Sequence, residues 1–303
     1  MHEAYLARLP EDLRANPLPR RESTWWRWRD ADIHLERVGD PAAPVRVLLL
    51  HGAGGHAAAL WPYAAYAASH GLHVVVPDLP GYGRTRVPRR AAVRYPDWVA
   101  LVCDLLRAER RSHAGRLVVV GASMGGLLAY DAATRTGVAD RVLATCLFDP
   151  RDPLARRHIS RFAWLGAAAR PALRVLAGPL ASLRVPLRWV TNMGAISNDP
   201  GLTGLVLGDR LGGGNRVPLG FLRSFLDSAP GVEPEQATGP RFVLAHPGED
   251  RWTPTEVSLR FFDRLAAPKE LVLLEGAGHY PVEAPGAHRL AELIVALGEP
   301  SPA

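Results

Sequence analysis

Six consecutive residues constrain this chain more than any others: Gly121-Ala122-Ser123-Met124-Gly125-Gly126. The residues before them, 116–120, run Arg-Leu-Val-Val-Val, the apolar β-branched pattern of a strand buried on both faces. Those after them, 127–133, read as a helix. A serine between glycines at such a junction marks a sharp strand-to-helix turn, where side chains would crowd the neighbouring backbone. The turn lifts the serine hydroxyl clear of the sheet edge. The expected architecture is a parallel sheet with helices, and the expected nucleophile is Ser123.

The rest of the chain keeps that rhythm. Strand-like runs at 45–50, 73–76, 142–148, 241–245 and 270–274 alternate with helical patterns, which argues for a mostly parallel α/β sheet covered on both faces. Residues 24–29 and 33–38 read as a hairpin around Arg29-Asp30-Ala31-Asp32. The alternation breaks after Asp149-Pro150. From 151 to 238, helical patches are interrupted by Pro153, Pro171, Pro179, Pro186, Pro200 and Pro218 and by the loop Gly212-Gly213-Gly214. Four segments result: an N-terminal arm (1–22), the first part of a core (23–150), a helical cap insertion (151–238) and the second part of the core (239–303). The cap falls between the sixth and seventh sheet strands, and no internal repeat is evident. With 303 residues, 48% of them hydrophobic, the chain can bury a full core in one domain.

A hydroxyl becomes a useful nucleophile only when a histidine takes its proton and a carboxylate orients that histidine. The run 241–245 leads into His246-Pro247-Gly248-Glu249-Asp250, and the run 270–274 into Glu275-Gly276-Ala277-Gly278-His279. An acid after one strand and a histidine after the next would project from the same sheet edge as Ser123.

With these motifs the chain resembles the α/β-hydrolase superfamily over about residues 25–297, and within it the monoglyceride-lipase and lysophospholipase branch. The resemblance rests on His51-Gly52-Ala53-Gly54-Gly55, on Asp78-Leu79-Pro80-Gly81-Tyr82-Gly83, on the Ser123 turn, on the stretch from Gly248 to Pro254, and on Gly276-Ala277-Gly278-His279. It implies that Ser123 is the nucleophile, Asp250 the acid and His279 the base, with the backbone amides of Ala53 and Met124 forming an oxyanion hole. The implied activity is cleavage of a small-molecule carboxylic ester through an acyl-enzyme, as in a lysophospholipase or monoacylglycerol lipase. Thioesterases, lactonases and other acyl hydrolases share this triad, and a ligand-binding protein on a hydrolase scaffold is the non-enzymatic alternative. Asp149 and Glu249 are the competing acids, since geometry decides a triad. Gly52, Trp164, Trp189, Phe221 and Trp252 are expected to touch substrate, with Leu165, Leu222 and Phe225 as further acyl-pocket walls.

Other readings are weaker. Gly52-Ala53-Gly54-Gly55-His56-Ala57 after a strand, with Asp78 ending the next, also fits a dinucleotide-binding pattern. That leaves His51, the Pro80-Gly81-Tyr82-Gly83 turn and the Ser, Asp and His positions unexplained. The net charge of +6 invites a nucleic-acid reading. However, every basic residue but Lys269 is an arginine, and they are spread without an aromatic-interleaved stripe. Cys103 and Cys146 read as core thiols, His51 as a pin for its loop, and Glu283 and Asp131 as helix-end and surface charges. No clustered His and Cys pattern suggests a metal, and no cofactor is expected. Neither a leader-like apolar stretch nor a run long enough for stable membrane insertion is seen, so a cytoplasmic location is expected. The oligomeric state is left open.

Overall fold

The computed structural model describes residues 1–298, apart from the side chains of Leu165 and Ala167; residues 299–303 of the second core segment lie outside the described residues. The chain opens with α1 (His2–Leu6), whose Tyr5 and Leu6 are buried together with Leu9 and Leu13. The hairpin is β1 (Arg21–Trp28) and β2 (Ala31–Val38), antiparallel with Trp28 opposite Ala31. It begins inside the stretch read as an arm.

The strand–helix series then runs β3 (Val45–Leu50), α2 (Ala57–Ser69), β4 (His73–Pro77), α3 (Tyr95–Arg111), β5 (Arg116–Gly121), α4 (Met124–Thr136) and β6 (Arg141–Ala144). Every residue of β3 and β4 is buried, as a strand covered on both faces requires. The sixth strand stops short of the apolar run 142–148. The chain leaves the sheet after Ala144 and turns across α4, where only a glycine at 126 fits beside the Cys146 carbonyl.

The excursion holds α5 (Pro153–Ile159), α6 (Ala163–Leu176), β7 (Arg184–Pro186), α7 (Leu187–Val190), α8 (Pro200–Gly208), β8 (Arg216–Pro218) and α9 (Leu219–Leu226). Its two strands pair antiparallel with Val185 opposite Val217. Both belong to the same tetrapeptide, Arg-Val-Pro-Leu, at 184–187 and 216–219. This short repeat escapes the sequence reading. In each copy the proline ends the strand, where its missing N–H costs no ladder bond, and a helix follows at once. The core resumes with β9 (Arg241–Pro247), α10 (Thr255–Phe262), β10 (Lys269–Leu274) and α11 (Gly286–Ala296).

One eight-stranded sheet has the order β1-β2-β4-β3-β5-β6-β9-β10, parallel from β4 to β10. The chain moves from β3 to β4 on one side and then to β5 on the other. The loops after β3 and β5 therefore diverge at a topological switch point, where open α/β sheets bind their ligands. Both cysteines are buried free thiols. Among the described residues, no helix is long and apolar enough to cross a membrane.

Candidate active site

Ser123 stands two residues after the end of β5 and directly before the first residue of α4, with φ 56° and ψ −126°. A non-glycine residue rarely adopts a positive φ, so the surroundings must hold it there. They do so by close approach: a Cβ on Gly121 would collide with the Gly125 carbonyl, and one on Gly125 would lie 2.5 Å from the Leu50 carbonyl oxygen. The Ser123 amide donates to Thr145 Oγ1 at 3.1 Å.

The loops after β9 and β10 bring two partners to this hydroxyl. His279 Nε2 lies 2.8 Å from Ser123 Oγ, and His279 Nδ1 lies 2.7 Å from Asp250 Oδ2. This order fits the tautomer protonated at Nδ1, which donates to the carboxylate and leaves Nε2 to accept from the serine. Asp250 is buried, and its Oδ1 accepts from the amides of Trp252 and Thr253, each at 2.8 Å. The Thr253 hydroxyl donates to Oδ2 at 2.7 Å. Burial alone would raise this carboxyl, but the His279 contact and the Thr253 bonds outweigh it and hold it down to about 2. Asp250 is therefore ionised at neutral pH.

The competing acids sit elsewhere. Both Asp149 oxygens are taken by Arg151, at 2.9 and 2.6 Å, and Arg151 also pairs with Glu233. Glu249 is exposed. Two carboxylates read as helix-end or surface charges are neither. Asp131 is buried and accepts from Arg135 and the Gly231 amide. Glu283 accepts from the Ser197 hydroxyl and from the Asn198, Asp199 and Gly278 amides, tying residues 197–199 of the excursion to the loop that carries His279. Sequence context does not separate such carboxylates from surface charges, because donors that bury them, Gly231 for Asp131 and residues 197–199 for Glu283, are distant in the chain.

Residues 51–55 form the facing loop. A Cβ on Gly52 would stand 3.0 Å from both the Met124 amide nitrogen and Ser123 Cβ, so this glycine leaves room beside the serine. His51 is buried, with Nδ1 donating to the Gly52 carbonyl at 2.8 Å and Nε2 accepting the Leu79 amide at 3.0 Å. Burial pushes its pKa down to about 4, so it is neutral at pH 7. Asp78, the ribose-binding acid of the dinucleotide reading, is committed to structure. It accepts from the Ala57 amide at the start of α2 at 2.7 Å, from the Arg84 amide at 2.7 Å and from His34.

Two cavities meet at Ser123 and Ala53. The smaller, of about 80 Å³, lies between the 51–55 loop, α2, α11 and His279. The larger, of about 250 Å³, is enclosed by Ala169, Leu173 and Leu176 of α6, by Phe221, Leu222 and Phe225 of α9, and by Phe148, Met124 and Trp252. Trp252 packs its ring 4.7 Å from that of His279. Phe221 is 3% exposed in this wall, whereas Trp164 and Trp189 are 69% and 57% exposed and line neither cavity. The helix explains Trp164: α6 turns Ala169, Leu173 and Leu176 to the cavity, and Trp164 sits roughly a third of a turn away, its ring stacked on Phe162. The Leu165 side chain is outside the described residues.

Known proteins share this fold. A family model described as the alpha/beta hydrolase family matches residues 47–292. The fold is similar to that of a monoacylglycerol lipase from Paleococcus ferrophilus, at 20% identity, TM-score 0.69, and coverage of 88% of this chain and 99% of that one. It is also similar to a soluble variant of Saccharomyces cerevisiae monoglyceride lipase in complex with a substrate analogue, at 15% identity, TM-score 0.74, and coverage of 96% and 99%. The thioesterase domain from the curacin biosynthetic pathway follows at 20% identity, TM-score 0.58, and coverage of 91% and 99%. No curated protein matches the sequence. At such identities the solved structures speak for the fold, but the family match spans most of the chain, which therefore belongs to the alpha/beta hydrolase family.

Proposed function

We propose that the chain is a serine-dependent carboxylic ester hydrolase acting on single-chain acyl esters, in the manner of a monoacylglycerol lipase or lysophospholipase. The observation that carries this reading is the unbroken hydrogen-bonded path Asp250–His279–Ser123, opening onto an apolar cavity. His279 Nε2 takes the Ser123 proton as Oγ attacks the ester carbonyl, and Asp250 stabilises the imidazolium. The amides of Ala53 and Met124 receive the developing oxyanion; donors fixed in advance cost no reorganisation at the moment of reaction. The tetrahedral adduct collapses, the leaving alcohol takes the proton from His279, and the acyl group stays on Oγ. Water then loses a proton to His279 as it attacks the acyl-enzyme, releasing the acid and restoring the serine.

The larger cavity supports the acyl preference. An apolar cavity of about 150 Å³ holds benzene, so 250 Å³ corresponds to roughly ten carbons. The direct test is Ser123→Ala, which should lower kcat on p-nitrophenyl octanoate by about 10⁶. A fluorophosphonate should label the wild type and not the variant. Labelling of both proteins, or of neither, would overturn the reading, and a preference for acyl thioesters over oxygen esters would move the substrate to thioester chemistry.

A further inference from the structure

The 51–56 loop is rich in glycine, at 52, 54 and 55, and Gly54 sits at φ +81°. Without side chains such a segment has many backbone states and cannot fix its own geometry. It is pinned instead at both ends by histidines. His51 ties the first end to the core through Leu79. His56 ties the second to the cap: its Nε2 lies 2.6 Å from Oδ2 of Asp209, the residue that follows α8. Both side chains are buried.

Asp209 organises more than this bond. Its Oδ2 also accepts the Tyr5 hydroxyl at 3.0 Å, and its Oδ1 accepts the Leu211 amide at 3.0 Å. Burial acts to raise this carboxyl, and the His56 and Tyr5 bonds outweigh it, so it stays below the usual carboxylate range. The turn that Asp209 starts lies directly on the glycine loop. A Cβ on Gly212 would come 2.6 Å from the Gly54 carbonyl oxygen and 3.2 Å from the His56 ring. The same turn is fastened to the 81–83 turn, where Leu211 O accepts the Gly83 amide at 3.0 Å and Asn215 Nδ2 donates to Gly81 O at 2.7 Å.

We propose that His56, held by Asp209, is a positioning residue through which the cap sets the oxyanion loop. The inference rests on reading the Ala53 amide, three residues before His56, as an oxyanion donor. Such a donor works only when it stands about 2.7–3.1 Å from where the charge develops. A misplacement of about 1 Å can cost about 10²-fold in rate. The cap would then contribute to the chemical step as well as to substrate enclosure.

The test uses the full chain with p-nitrophenyl butyrate. His56→Leu removes the bond and keeps comparable volume, whereas His56→Gln can place an amide N–H near the position of Nε2. For His56→Leu, kcat should fall about 10- to 100-fold. The rate of fluorophosphonate labelling should fall in the same proportion, with KM within about threefold and His56→Gln recovering most of the loss. Asp209→Asn should show the same pattern with a smaller fall, and it carries the test should His56→Leu not fold. A lowered Tm with kcat and labelling rate unchanged would make the pair merely structural and overturn the proposal, as would His56→Gln performing no better than His56→Leu. Turnover surviving in Ser123→Ala would instead strike at the serine mechanism, so the two failures are distinguishable.

Discussion

Ser123 is held at φ 56°, in a region where a side chain costs about 1–3 kcal/mol. Replacing it by glycine should therefore abolish turnover and stabilise the fold by about 1 kcal/mol in urea unfolding. An unchanged or lowered midpoint would mean that the turn stores no strain. The acids make a second residue-scale prediction. Asp250→Asn should lower kcat by about 10⁴ by misorienting the imidazole. Asp149→Asn should leave kcat nearly intact and lower Tm, because Asp149 serves the Arg151–Glu233 cluster. The reverse ranking would move the acid role to Asp149. At this scale, the sequence carries the residues of the candidate site whose spacing follows from strand ends: Ser123, Asp250 and His279. It hides Glu283 and Asp209, whose carboxylates gain their meaning from donors that the fold delivers, and the role of Thr253, whose hydroxyl donates to Asp250.

The core elements are legible where β3, β4, β5 and β9 are compact apolar runs and where a helix such as α3 has one apolar side. In the excursion between β6 and β9 that logic fails, and α6 shows why. Ala169, Leu173 and Leu176 line the cavity, while Trp164, Ala168, Pro171 and Val175 form an outward stripe that is apolar too, Val175 being 75% exposed. The apolar arc of α6 spans both stripes, with Arg170 and Arg174 opposite, so periodicity gives an apolar side but not the part of it that faces inward, and the larger Trp164 reads as a wall residue where Ala169 does not. The Arg-Val-Pro-Leu strands are hidden for a different reason: three residues ending in proline are too short to register as strands. The cavity that these elements enclose makes its own prediction. Each buried methylene contributes about 0.8 kcal/mol, up to about fourfold in kcat/KM. Across p-nitrophenyl esters, kcat/KM should climb from acetate to about ten carbons and then level off. Leu173→Trp, which fills the cavity, should move the optimum to shorter chains. Rates that fall steadily from acetate onward would exclude the cavity as an acyl site.

For the molecule as a whole, stability should depend on acidity through a histidine that takes no proton. His51 binds one at about 4 when folded and near 6.5 when unfolded. Between those values the unfolded chain holds a proton that the folded chain lacks, so stability falls as pH drops from about 6.5 to about 4. The loss approaches about 3 kcal/mol from this residue. Urea midpoints measured from pH 7 to pH 4 should show it, and His51→Gln should make that limb shallower, with His73, which burial also lowers to about 4, supplying part of the remainder; an equal slope in the variant would assign the effect to other groups. A last consequence belongs to α6. Hydrocarbon lies on its inner and outer sides alike, so burial alone does not set its rotation. Its angular setting is held by a close approach and by charge: a Cβ on Gly166 would lie 2.3 Å from the Arg156 carbonyl oxygen, and Arg170 and Arg174 both reach Asp227, at 2.7 and 3.2 Å. Asp227→Asn should loosen the charged catch, giving faster amide exchange along 163–176 while the β3 and β5 amides keep their protection. The wall of the cavity is in this sense a dial, with one glycine and two arginines as its stops.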